Sequence, residues 1–178
     1  MVKCFYTNNN SQTKKIAKNL AKKILAKNFY QQKEIKKAFL IGLEGSLGSG
    51  KTTFLQGFAQ GLGIKEKILS PTFVIMKKFK IKDLRFKNFY HIDCYRISKP
   101  KEILDLGWRK IISDPKNIVA VEWADRISKI LPKETLILKF EFISKNKRKI
   151  LFESDFGKIR ENNSQNLPKN ILLKNLKQ

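Results

Sequence analysis

Cysteine is scarce in this chain, acidic residues are few, and no apolar stretch is long. The two cysteines among 178 residues, Cys4 and Cys94, lack metal-ligand spacing, which argues against a disulfide framework and against a zinc site. Each lies in an apolar stretch of its own, so both are expected to be buried thiols. No apolar run approaches the roughly 20 residues that span a bilayer, and the first residues lack the apolar core of a secretory signal. A cytoplasmic protein with no membrane partner is therefore expected. There is no internal repeat.

Acid is outnumbered by base: 15 Asp and Glu face 38 Lys and Arg, a net charge of +23. Such a balance ordinarily points to a polyanionic partner. Only six of the 38 are Arg, however, and Lys, Asn, Ile and Phe are abundant together, the pattern of an AT-rich coding sequence. A recognition patch favours Arg for its fork geometry. Most of the charge is thus read as compositional drift on solvated faces, which still raises non-specific affinity for RNA.

What is present is a phosphate-binding pattern, Gly45-Ser46-Leu47-Gly48-Ser49-Gly50-Lys51-Thr52. Its glycines let the backbone curl N–H groups around phosphate oxygens, Lys51 reaches the β- and γ-phosphates, and Thr52 ligates Mg²⁺. The pattern arises by accident in roughly one chain in a hundred of this length, so its context matters. Ala38–Leu43 is an apolar run without helical periodicity, as a strand covered on both faces requires. After Lys51, residues Phe54, Leu55, Phe58, Ala59 and Leu62 form a helical stripe that Gly63 ends. Phosphate would then sit at a helix N-terminus. The alternative is a Gly/Ser loop that merely joins strand to helix.

Along the rest of the chain, Val2–Tyr6 has the pattern of a short strand. A helix capped by Ser11 or Thr13 follows, carrying Ile16, Ala17, Leu20, Ala21, Ile24 and Leu25 on its packed face. Ser70-Pro71 makes a bend, and a strand is expected from Phe73 onward. On the residues alone, the Ser70 and Thr72 hydroxyls suit a capped turn better than a phosphate sensor. Residues 80–88 read as a hairpin connection. Two strands then end in acids, Asn88–Asp93 and Ile118–Glu122, where P-loop proteins place the carboxylates of the Mg²⁺ shell and the attacking water. Either acid could instead pair with Arg96 or Arg126. Between them, Ser98 and Pro100 start a helix that breaks at Gly107. Leu136–Phe142 and Lys149–Phe152 are paired as a hairpin across Lys145-Asn146-Lys147. From Ser154 the composition turns to Asn, Lys, Gln and Ser, so residues 1–153 are taken as one domain and 154–178 as a disordered or loosely docked tail.

Four blocks together resemble the TsaE (YjeE) family, P-loop ATPases of tRNA threonylcarbamoyladenosine synthesis. They are Gly45 to Thr53, Ser70-Pro71-Thr72-Phe73, His91-Ile92-Asp93-Cys94-Tyr95-Arg96 and Val121-Glu122-Trp123-Ala124-Asp125-Arg126, and the likeness covers roughly residues 11–152. Ser46 and Ser49 stand where the family frequently has Asp and Ala. The resemblance implies an α/β P-loop NTPase fold with a central mixed, mainly parallel sheet flanked by helices. It implies that ATP or ADP is bound by Gly45, Ser46, Leu47, Gly48, Ser49, Gly50, Lys51, Thr52 and Thr53, with Ser70 and Thr72 in a switch-like loop near the γ-phosphate. Mg²⁺ would be held through Thr52 and Glu122, with Lys51 and Asp93 catalytic, Asp93 lying near the attacking water. His91, Tyr95 and Trp123 match motif positions without an evident role. The partners implied are TsaD and TsaB, with tRNA reached only through them. A small nucleoside or nucleotide kinase and a nucleotide-gated binding module are the rival readings.

Overall fold

The computed structural model describes residues 2–26, 36–71 and 74–153. Thr72 and Phe73, and the tail expected over 154–178, lie outside the described residues. Among the described residues seven strands form one sheet: β1 (Val2–Thr7), β2 (Phe39–Gly45), β3 (Met76–Lys80), β4 (Asn88–Asp93), β5 (Asn117–Glu122), β6 (Leu136–Phe142) and β7 (Arg148–Glu153). Their order is β1-β7-β6-β2-β5-β4-β3. The four central strands β6, β2, β5 and β4 run parallel, and antiparallel partners flank them on both sides. This is the mixed α/β sheet expected.

The central strands are buried on both faces because each alternates between two apolar layers. Phe39, Ile41 and Leu43 of β2, with Ile118 and Ala120 of β5, face helices α1 (Asn10–Leu25) and α2 (Lys51–Gly61). Leu40, Val119, Val121 and Ile92 pack instead with α3 (Pro100–Asp105), α4 (Trp108–Ser113) and the 3₁₀ segment Ala124–Ile130. Trp108 anchors that second layer. Among the described residues no helix is long and apolar enough to cross a membrane.

Helices α1 and α2 lie together because α2 offers glycine at Gly57 and Gly61, one turn apart. A Cβ at Gly57 would stand 2.4 Å from the Lys14 carbonyl oxygen, and one at Gly61 2.6 Å from that of Lys18. The step 14 to 18 matching 57 to 61 shows the two helices running parallel, so their N-termini emerge side by side. Gly57→Ala is expected to lower stability by about 1–3 kcal/mol, the cost of forcing apart close-packed backbone, measurable as a fall in thermal midpoint.

Several local expectations are corrected. Asn9, not Ser11 or Thr13, caps α1, accepting from the Gln12 N–H at 2.9 Å. Thr13 is engaged elsewhere, its buried hydroxyl lying 2.9 Å from that of Thr7. The third strand begins at Met76, because Ile75 adopts a left-handed φ of 60° that breaks the extended run. Helix α3 is stabilised at its start by Glu102, which accepts from the Ser98 and Lys99 N–H groups. Cys94 is buried as expected, and desolvation pushes its thiol up to about 12. Cys4 is exposed instead, since alternation along the marginal strand β1 turns it away from the helices.

Candidate functional site

Sheet register builds the site before any side chain is considered. Asp93 pairs with Glu122, and Glu122 with Leu43, two residues before the loop that leaves β2. Both acids therefore end their strands in one row beside the loop, and directly opposed residues share a face of the sheet. That face is the one carrying α2, which begins at Lys51.

The loop needs glycine where its backbone turns left-handed. Gly45, Gly48 and Gly50 have φ of 136°, 74° and 102°, and a Cβ on Gly45 would meet the Phe140 carbonyl oxygen at 2.3 Å. Lys51 leans back over this loop. Its Nζ donates to the Gly45 and Ser46 carbonyls at 2.7 and 2.9 Å and lies 3.5 Å from Ser49 Oγ. The Trp123 ring centroid is 3.9 Å from the same ammonium, a cation–π distance. Burial lowers the Lys51 pKa, against the pull of Glu122, Asp93 and Asp125, which favour the charged form.

Thr52, the next residue, donates its hydroxyl to Glu122 at 3.0 Å from Oε1 and 2.9 Å from Oε2. Glu122 is buried, and His91 Nε2 lies 2.9 Å from its Oε1. The contact to a carboxylate requires the proton on Nε2, so His91 holds the acid's orientation. Glu122 is thus hydrogen-bonded to Thr52 and His91 rather than paired with an arginine. Asp93 accepts from the Tyr95 N–H at 2.8 Å on Oδ1 and from the Ser70 hydroxyl on Oδ2, which ties Ser70 to the end of β4. Trp123, in the left-handed region at φ 58°, packs at a tilt against Tyr95, and Arg126 lies near both rings while donating to the Ile97 carbonyl.

These groups surround one cavity of about 340 Å³. Leu47, Gly48, Gly50, Lys51, Thr52 and Thr53 line it from the loop side, and Ser70, Asp93, Tyr95, Glu122 and Trp123 from the other. Every sequence-derived candidate within the described residues is therefore in the loop or on the cavity wall. No cluster of three His, Cys, Asp or Glu able to hold a metal occurs among the described residues. A hydroxyl and a carboxylate side by side are hard oxygen donors of the kind Mg²⁺ takes, and that ion ordinarily completes its shell with waters and substrate phosphates rather than a protein cage. The residues present fit it. Sequence reasoning missed the orienting role of His91, although its place two residues before Asp93 puts both on one face of β4. It also missed Arg148, which donates from Nη2 to the Gly48 carbonyl at 3.2 Å. Only the β6–β7 register brings that residue to the loop.

Comparison with known proteins agrees with this architecture. The family model described as threonylcarbamoyl adenosine biosynthesis protein TsaE matches residues 7–150. A tRNA threonylcarbamoyladenosine biosynthesis protein TsaE from Bacillus subtilis is 40% identical over 113 residues, covering 64% of this chain and 68% of its own. The protein of that name from Borreliella burgdorferi is 40% identical over 119 residues, covering 66% and 82%; that from Rickettsia felis is 31% identical over 142, covering 79% and 74%. A crystal structure of Bacillus subtilis YdiB superposes with a TM-score of 0.64 at 30% identity, covering 89% of this chain and 88% of that one. With the loop, both strand-terminal acids and most of the sheet inside the matched span, the chain belongs to the TsaE family.

Proposed function

We propose that this protein binds ATP with Mg²⁺ at the Gly45–Thr52 loop and hydrolyses it to ADP and phosphate, in the cytoplasm, to drive tRNA threonylcarbamoyladenosine formation by a TsaD–TsaB partner pair. Membership of the family supports the pathway. The nucleotide chemistry is supported above all by one observation: Thr52 and Glu122 hydrogen-bonded across the mouth of a phosphate-binding loop, with Asp93 in the same row.

In this reading the loop's N–H groups and Lys51 bind the phosphate chain, Lys51 exchanging its loop carbonyls for phosphate oxygens. Thr52 and Glu122 hold Mg²⁺, which supplies charge neutralisation on the phosphates when bound. His91 keeps Glu122 turned toward Thr52. Asp93 orients the water that attacks the γ-phosphorus and takes its proton as the bond to the ADP oxygen breaks. Ser70, bonded to Asp93, links that carboxylate to the Ser70-Pro71 segment that precedes Thr72 in the sequence.

Among the described residues no arginine lines the cavity, so the transition-state clamp that these residues offer is incomplete. P-loop proteins gain greatly when an arginine or an ordered loop is supplied from outside. Phosphate release by the isolated protein should be slow and should rise about tenfold or more when the partner pair is added. Fast turnover without partners, or phosphorylation of an added nucleoside, would favour a kinase instead.

A further inference from the structure

On the side of the loop away from the acids, the sheet ends in a row that the cavity does not include. Register aligns Phe142 of β6 with Arg148 of β7, and Arg148 with Thr7 of β1. Directly opposed residues share a face, and Thr7 is bonded to Thr13 under α1, so the row faces the helix layer. It extends the apolar rows below it, Phe140 with Ile150 and Phe5. Here, however, helices α1 and α2 begin: Thr7 at one end of the row is fully buried, while at the other end the described residues leave Phe142 uncovered. Phe142 is 54% exposed and its neighbour Ile143 46%.

The row is also stiffened. Arg148 Nη1 donates to the Ser144 and Lys147 carbonyls at 2.7 and 3.0 Å, and Nη2 to Gly48 of the phosphate loop at 3.2 Å. With Lys145 at 3.4 Å, four carbonyls therefore hold the guanidinium, 4.5 Å from the Phe142 ring centroid. A flat cation held over an exposed aromatic ring forms a pair whose outer face suits a flat heterocycle, because guanidinium and aromatic faces both stack on nucleobases. It stands against the phosphate loop, where a Cβ on Gly50 would lie 3.9 Å from Arg148 Cγ. The acids and Thr52 mark the terminal-phosphate end of the site, so the opposite rim is where the base end of a nucleotide emerges.

We propose that Phe142 and Arg148 form the platform on which the base of the bound nucleotide stacks. This rests on the reading of the Gly45–Thr52 loop as an ATP site, and the test separates the two. Binding of ATP and of inorganic tripolyphosphate, each with Mg²⁺, is measured by calorimetry on the full chain. Tripolyphosphate carries the phosphates without a base. Phe142→Ala should weaken ATP binding by roughly 5- to 150-fold, the scale of one lost stacking contact, and leave tripolyphosphate affinity within about twofold. Phe142→Trp should restore ATP binding. Arg148→Ala, which also releases Gly48, should weaken ATP more than tripolyphosphate. Phe142 is largely in solvent, so thermal midpoints of its variants should match the unsubstituted protein. Normal ATP binding by Phe142→Ala, or equal losses for both ligands, would overturn the platform while leaving the loop assignment standing. Failure of the unsubstituted protein to bind ATP would overturn both.

Discussion

Lys51→Ala should lower the ATP hydrolysis rate by roughly 30- to 1000-fold, the effect of removing about 2–4 kcal/mol of transition-state stabilisation from a charge-assisted phosphate contact. The fold should survive. Lys51 Nζ is bonded to the Gly45 and Ser46 carbonyls, and Ser46 is exposed with Gly45 only half-buried, so water can replace the ammonium there. The stability loss should be about 1 kcal/mol, the net worth of ordinary hydrogen bonds. Lys51→Arg should not rescue activity. A planar guanidinium differs in shape and reach from the compact ammonium, and the Trp123 ring 3.9 Å from Nζ limits the room for it. Steady-state phosphate release and a thermal melt on both variants check this, and a normal rate in Lys51→Ala would remove Lys51 from the catalytic machinery.

The parts legible in the sequence were those that short-range chemistry dictates. Strands Asn88–Asp93 and Leu136–Phe142 have the bounds that their patterns mark, because apolar runs bordered by polar residues have few other solutions. The acids were found because each closes such a run. What required the structure was pairing. Nothing local to Arg148 says that it meets Gly48, since the contact depends on β6 lying beside β2 and β7 beside β6. Alternation marks His91 and Asp93 as sharing a face, but the bond to Glu122 needs β4 and β5 in parallel register. The errors have the same origin. Thr13 has a capping side chain, yet Thr7 engages it from a strand the helix signal does not include. Cys4 lies among apolar residues, yet its exposure follows from which face of a marginal strand is covered.

The two acids should separate when changed to their amides. Glu122→Gln is preferable to Glu122→Ala, because alanine would strand the buried His91 Nε2 proton and cost about 1–3 kcal/mol of stability, confusing binding with folding. The glutamine amide oxygen can still accept from Thr52 or His91 while the charge is gone, so the Mg²⁺-dependent part of nucleotide affinity should fall. Asp93→Asn keeps an oxygen for the Tyr95 N–H and turns an N–H toward the Ser70 hydroxyl, whose oxygen can accept it. Its fold and nucleotide affinity should therefore be near normal. In the proposed reaction it would lose the basic oxygen for the water's proton, and the turnover rate should drop by roughly 10²- to 10⁴-fold, the usual contribution of a positioned base. Calorimetry with and without Mg²⁺, set beside steady-state phosphate release, distinguishes a binding acid from a catalytic one. Equal losses of Mg²⁺-dependent binding in the two variants would mean that Asp93 and Glu122 act together on the metal, and that the water is held by a different group.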